Sequence, residues 1–218
     1  ALRSEDLALA KEVVPEHGLD ALISTDGDAD RPMLFDEKGQ FVRGDLLGIL
    51  AAKFLGADAV VTPVTSSSAI EQSGLFKTVV RTKVGSPFVI AGREEAKRAG
   101  GRIVVGFEAN GGVLLGSDVS VAGGKLAALP TRDSMLPMLS VLGLGLKEGK
   151  TVSELVGSLP ARFAASGRLE HVGPEKTGPF LGKLQDETFQ AAYFANQGVI
   201  SAVDQIDGIR FAFNSGDT

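Results

Sequence analysis

Apolar residues recur at helical spacing near the start of the chain, at Leu7, Ala10, Val13 and Val14, behind Ser4 with Glu5 and Asp6. This spacing predicts a helix capped by Ser4, with acidic residues in its first turn, that stops at Gly18. A short apolar run, Ala21-Leu22-Ile23, then predicts a buried strand. Met33-Leu34-Phe35 and Gln40-Phe41-Val42 flank Asp36-Glu37-Lys38-Gly39 and predict a hairpin. Asp45 is expected to cap a helix through Leu46, Leu47, Leu50 and Phe54, ending at Gly56.

From there strands and helices alternate. Ala59-Val60-Val61, Thr78-Val79-Val80 and Ile103-Val104-Val105 read as strands, with helices over residues 68–73 and 87–99 between them. Thr131 is expected to cap a longer helix carrying Met135, Leu136, Leu139 and Leu142. Continuous Val/Ile runs between helices predict an α/β fold: a layered αβα domain with a mixed, mostly parallel sheet covered on both faces. After about residue 150 the rhythm changes. Gly and Pro become frequent, and Val199-Ile200-Ser201-Ala202-Val203 and Ile209-Arg210-Phe211-Ala212-Phe213 predict antiparallel strands joined at Asp207-Gly208. This part is expected to be a partial α+β domain. The chain opens on a helix and stops directly after a strand, so truncation is expected at both ends.

Composition narrows the function classes. The 218 residues are 44% hydrophobic and 22% charged, ordinary for a globular protein. A net charge of −5 argues against a nucleic-acid surface. The absence of cysteine excludes a disulfide framework, a thiol nucleophile and a Cys-ligated zinc site. No apolar run reaches the roughly 20 residues that span a bilayer, and the N-terminal stretch lacks the pattern of a signal peptide. A cytoplasmic protein without membrane or nucleic-acid partners is expected.

Asp26-Gly27-Asp28-Ala29-Asp30, followed by Arg31, concentrates more charge of one sign than any other stretch. Three carboxylates at alternate positions repel one another unless a cation sits among them, and aspartate oxygens suit a hard ion such as Mg²⁺. A plain polar turn accounts for Asp and Gly but not for the third Asp and the Arg. An EF-hand fits Asp26, Asp28, Asp30 and Glu37 by spacing, but its required glycine is Arg31 here, and a strand rather than a helix precedes the loop. Asp26, Asp28 and Asp30 are therefore expected to hold a metal. Two further loops follow strands, Thr82-Lys83-Val84-Gly85-Ser86 and Gly106-Phe107-Glu108-Ala109-Asn110-Gly111-Gly112. All three are expected at the C-terminal ends of strands, where ligands collect in open α/β sheets.

In this order, D-G-D-A-D-R, T-K-V-G-S and G-F-E-A-N-G-G resemble the loops of the phosphomannomutase/phosphoglucomutase family, the α-D-phosphohexomutases. The family's metal loop is D-G-D-G-D-R and its sugar loop is typically G-E-x-S-G-H. The resemblance implies that residues 1–38 are the end of a second domain with the metal loop. It makes 39–155 an α/β third domain with the sugar-binding loop, and 156–218 an incomplete α+β fourth domain. It also implies conversion between hexose 6-phosphate and hexose 1-phosphate, mannose or glucose, through an Mg²⁺-bound phosphoserine. Hexose 1,6-bisphosphate would serve as activator. By position, Asp26, Asp28 and Asp30 would hold Mg²⁺ and Arg31 would act on the phosphoryl group. Glu108 would grip sugar hydroxyls, with Asn110, Lys83 and Ser86 as further substrate contacts.

The sequence departs from the family at Gly112, where the loop usually ends in His, and at Ser86, where many members also carry His. The phosphoserine loop T-A-S-H-N-P is not in this sequence, and Ser66-Ser67-Ser68 reads as a helix cap. The distal phosphate loop R-x-S-G-x would begin beyond Thr218. On this reading the chain alone is inactive and its partners are the remaining segments of the same enzyme. A non-catalytic metal or sugar-phosphate binding module is the alternative. A phosphatase with an aspartate nucleophile lacks a D-x-D at the first strand.

Overall fold

Helix α1 (Ser4–Glu16) forms where the 3.6-residue pattern predicts it, with Ala10 and Val14 buried, and ends where Gly18 adopts a left-handed φ of 58°. The computed structural model describes residues 4–121, 123–165, 167 and 170–218. The Ser4 and Asp6 side chains, and with them the expected cap, lie outside the described part. Strand β1 (Leu22–Thr25) pairs antiparallel with β2 (Pro32–Phe35), Leu22 opposite Phe35 and Thr25 opposite Pro32. The aspartate loop is therefore the tip of a hairpin. β1 was expected to be buried, yet Ile23 is 38% exposed, because β2 is the only strand that pairs with it among the described residues.

The hairpin predicted around residues 36–39 reduces to a turn with a single bridge, Phe35 to Phe41. Asp36 Oδ1 accepts the Lys38 and Gln40 amides at 3.0 and 2.8 Å, which satisfies the backbone without a ladder. Helix α2 (Gly44–Phe54) follows, but Arg43 holds its N-cap position and Asp45 lies within the first turn. The Asp45 side chain is 1% exposed and accepts the Ser67 amide at 2.8 Å and Arg43 Nη2 at 2.6 Å. A carboxylate this deep is tolerated because it is both paired and hydrogen-bonded.

Next come β3 (Ala59–Pro63), α3 (Ala69–Gln72), β4 (Thr78–Thr82), α4 (Ser86–Arg98), β5 (Val104–Phe107) and β6 (Val113–Leu115). The sheet order is β4-β3-β5-β6, with β3 parallel to both β4 and β5, and β6 antiparallel to β5. Side chains alternate between its faces. Val60, Val105, Phe107 and Leu115 join one core, and Ala59, Val61, Val104 and Leu114 join another against Val89 and Ala96 of α4. A small hairpin, β7 (Val119–Val121) with β8 (Gly124–Leu126), precedes α5 (Met135–Glu148). α2 and α5 cover the first face, so the layered α/β sandwich read from the pattern is present. Ser134, not Thr131, holds the N-cap position of α5, and Asp133 before it accepts the Met135 and Leu136 amides through Oδ1 at 2.8 and 3.0 Å.

A capping box of Thr151 and Glu154 starts α6 (Val152–Gly157). Leu155, Val156 and Leu159 pack into the same core as α2 and α5. The first compact unit accordingly runs to Phe163, past the expected boundary at residue 155. The second unit, Ala164–Thr218, holds α7 (Pro174–Lys183), α8 (Glu187–Tyr193), β9 (Ile200–Asp204) and β10 (Arg210–Phe213). β9 and β10 form the predicted antiparallel pair, and Leu184, Phe211 and Phe213 with Phe189 and Phe194 make its small core. No described helix is long and apolar enough to cross a membrane.

At the end of α5, Glu148 accepts Lys53 Nζ of α2 at 2.6 Å and Lys150 Nζ at 2.9 Å. These partners, Lys53 first, lower its pKa from 4.5 to about 2. A depressed carboxylate pKa stabilises the fold above the unfolded value and loses that contribution as pH falls through the folded one. Urea unfolding should find Glu148→Gln less stable than the parent at pH 7, with the difference fading between about pH 4.5 and 2. A difference that persists unchanged at pH 2 would contradict the ion pair's role.

Candidate active site

At the hairpin tip, Asp26, Asp28 and Asp30 offer carboxylate oxygens that all lie within 4.8 Å of one another. At that separation two carboxylates repel by about 3–4 kcal/mol for an effective dielectric near 20. Arg31 relieves part of this. Its amide and Nη1 donate to the two oxygens of Asp26 at 3.2 Å, and its Nε lies 3.6 Å from Asp30 Oδ1. Ala29 carries the chain through the turn at φ 58°, a left-handed conformation that strains a residue with a Cβ. The Ser134 hydroxyl, at the start of α5, donates to the Ala29 carbonyl at 2.8 Å and ties the tip to the α/β layer. Glu37, the last ligand of the EF-hand alternative, instead accepts the Ser153 hydroxyl and, at 3.2 Å, its amide. Burial opposes ionisation of Glu37, but these hydrogen bonds outweigh it and hold its carboxyl below the usual range.

The loop after β5 lies against this tip. Gly111, at φ 92°, sits so close to α2 that a Cβ on Gly44 would stand 2.2 Å from its amide nitrogen, and a Cβ on Gly111 would meet Pro32 Cγ at 2.9 Å. Only glycines allow the backbones of α2, the loop and the foot of β2 to meet. Within the loop, Asn110 Oδ1 accepts the Gly112 amide at 3.0 Å, so that oxygen serves the turn. Glu108 is 6% exposed and accepts Arg132 Nη1 at 3.2 Å. The same guanidinium donates through Nη2 to Asp30 Oδ2.

Arg132 thus joins the aspartate loop to Glu108, a role that sequence reasoning did not assign to it. Its local pattern marks only the approach to α5. The link arises from pairing: Val113 and Asp133 exchange backbone hydrogen bonds at 3.1 and 2.8 Å, which sets Arg132 diagonally across from Gly112. A buried oxygen, Asp30 Oδ1, has no hydrogen bond. That orphaned acceptor and the hard-oxygen donor set fit a divalent cation among the three aspartates.

Residues 43–163 match the family described as phosphoglucomutase/phosphomannomutase, alpha/beta/alpha domain III. The chain belongs to this family. It is 42% identical to a phosphomannomutase of Sinorhizobium fredii over 202 residues, covering 92% of the chain and 42% of that protein. It is also 42% identical to a phosphomannomutase of Salmonella muenchen over 219 residues, covering 100% of the chain and 45% of that protein. A phosphoglucomutase/phosphomannomutase family protein from Burkholderia thailandensis shares the fold, with a TM-score of 0.66 at 18% identity over 97% of the chain and 42% of that structure. The chain spans less than half the length of these relatives.

Among the residues that the family resemblance singled out, the structure gathers Asp26, Asp28, Asp30, Arg31 and Glu108 into one network. Lys83 and Ser86 stand at the β4 side of the α/β layer. Lys83 follows β4, two strands or about 10 Å from β5, and its ammonium lies 5.9 Å from the Phe88 ring centre. Ser86 opens α4. The aspartate loop directly follows β1, at the C-terminal end of a strand as expected, and that strand belongs to the β1–β2 hairpin, separate from the four-stranded sheet. The family's loop has glycine where Ala29 stands. Ala29→Gly should raise stability in urea by up to about 1 kcal/mol by removing the left-handed strain, and a net loss would argue against strain at the tip.

Proposed function

We propose that this chain is part of a phosphohexomutase that interconverts hexose 6-phosphate and hexose 1-phosphate, with mannose or glucose as the sugar. The observation that carries the reading is the convergence of Asp26, Asp28, Asp30, Arg31 and Glu108 in one network within a chain of this family. The relatives named phosphomannomutase support it. In this reading residues 1–38 end a second domain, the layered sandwich is the third, and the second compact unit is part of a fourth. Remaining segments of the same enzyme would supply the phosphoserine and the distal phosphate loop, and the protein would work in the cytoplasm.

Asp26, Asp28 and Asp30 would hold Mg²⁺, which supplies positive charge to the phosphoryl group in transit. Arg31 adjoins them and places a second, permanent positive charge where equatorial phosphoryl oxygens gather charge. Glu108, acceptor-only when ionised, would take hydrogen bonds from two sugar hydroxyls and orient the ring, with Asn110 beside it. Lys83 and Ser86 would meet the phosphate or sugar from the far edge of the sheet. Hexose 1,6-bisphosphate would restore the phosphoserine between turnovers.

A coupled assay on the whole protein tests the reading. It should convert mannose 1-phosphate or glucose 1-phosphate to the 6-phosphate in the presence of Mg²⁺. Asp28→Asn should lower kcat by at least about a hundredfold, as expected when charge stabilisation of the transition state is lost. Absence of turnover with mannose, glucose and glucosamine phosphates would end the proposal.

A further inference from the structure

Arg132 combines four properties that together ask for a role. Its guanidinium donates at once to Asp30 of the aspartate loop and, at 3.2 Å, to Glu108. Its Cδ and Cγ lie 2.9 and 3.3 Å from the point where a Cβ on Gly112 would sit, so it fills the space that a side chain at position 112 would take. The Val113–Asp133 bridge fixes the main chain at the residue next to it. Asp30, which it contacts, still has an unsatisfied buried oxygen.

We propose that Arg132 is a positioning residue that couples cation binding at the aspartate loop to the orientation of Glu108. With no cation at Asp30, the guanidinium stands in for one and is shared between Asp30 and Glu108. A divalent ion on Asp30 repels the guanidinium, which then turns wholly to Glu108 and holds that carboxylate for the sugar hydroxyls. Because arginine does not deprotonate, the guanidinium keeps its charge and a cation has to displace it from Asp30. Arg132 therefore competes with the cation, and the competition is thermodynamically reciprocal. The inference rests on the reading of Asp26, Asp28 and Asp30 as a metal site.

Mn²⁺ affinity, measured from the free-ion electron paramagnetic resonance signal on this chain, tests it without any turnover. Arg132→Gln should tighten Mn²⁺ binding by roughly tenfold, within the usual range of site-to-site coupling. Arg132→Lys, which keeps the charge but loses the fork that reaches both carboxylates, should tighten it less. A strut with a merely structural role would give the opposite sign, because its loss would misplace Asp30 and weaken Mn²⁺ binding. Unchanged or weaker binding in Arg132→Gln, with the parent binding Mn²⁺ and Asp28→Asn losing it, overturns the coupling and leaves the metal site standing. No Mn²⁺ binding by the parent overturns both.

Discussion

Backbone meets backbone where α2 begins, and the site depends on that contact. A Cβ on Gly44 would fall 2.2 Å from the Gly111 amide nitrogen, and one on Gly111 would fall 3.1 Å from the Gly44 Cα. Pro32, the first residue of β2, packs on Gly111. Three elements that are remote in sequence are thereby locked at their closest possible approach: a helix start, a loop after a central strand and the foot of a hairpin. A side chain at Gly44 would push α2 off the loop after β5, and one at Gly111 would push that loop off Pro32. The close fit also explains how a hairpin with one strand pair stays aligned with the main sheet although no strand of that sheet bonds to it.

On that frame the site is an exercise in unbalanced charge. Among the described residues, Asp26, Asp30 and Glu108 pair with Arg31 and Arg132 alone, and Asp28 adds a third carboxylate beside Asp26 and Asp30. The excess of negative charge is confined to the hairpin tip and the end of β5. Arg31 is held by carboxylates of the hairpin tip, while Arg132 reaches from the tip to Glu108, and the surplus of carboxylates favours a positively charged guest. Charges elsewhere are handled differently. Asp45 is buried and fully engaged, joining α2 to the segment after β3. Glu148 ties α2 to the end of α5 through Lys53. Those pairs hold layers together, whereas the tip keeps an acceptor unsatisfied.

The chain by itself determined the elements of the central layer and the chemistry of the aspartate loop. Continuous Val runs at Ala59–Pro63 and Val104–Phe107 can bury both faces only inside a covered sheet, so a layered fold follows from pattern alone. Three aspartates at alternate positions carry their meaning locally, since neighbouring charges repel whatever surrounds them. Boundaries set by side-chain hydrogen bonds were less legible. Thr131, Asp133 and Ser134 all suit the start of α5, and only the packing of Ser134 onto Ala29 and the reach of Asp133 to two amides decided among them. Arg43 and Asp45 divided the start of α2 in the same way, because burial against Ser67 drew the aspartate inward.

Only the tertiary structure decided which residues meet. The pairing of β1 with β2 made the strand end that carries the aspartates also a hairpin tip, and the run Leu22–Thr25 carries no signal for its partner. Arg132 stands 24 positions after Glu108 and 102 after Asp30, and no local period connects residues so far apart. Their meeting follows from the antiparallel register of Val113 with Asp133 and from the missing side chain of Gly112. A sequence states which groups are charged and which stretches must be buried. Where two charges come within reach of one another is fixed by strand register and by the closest approach that glycines permit, and those are properties of the folded chain.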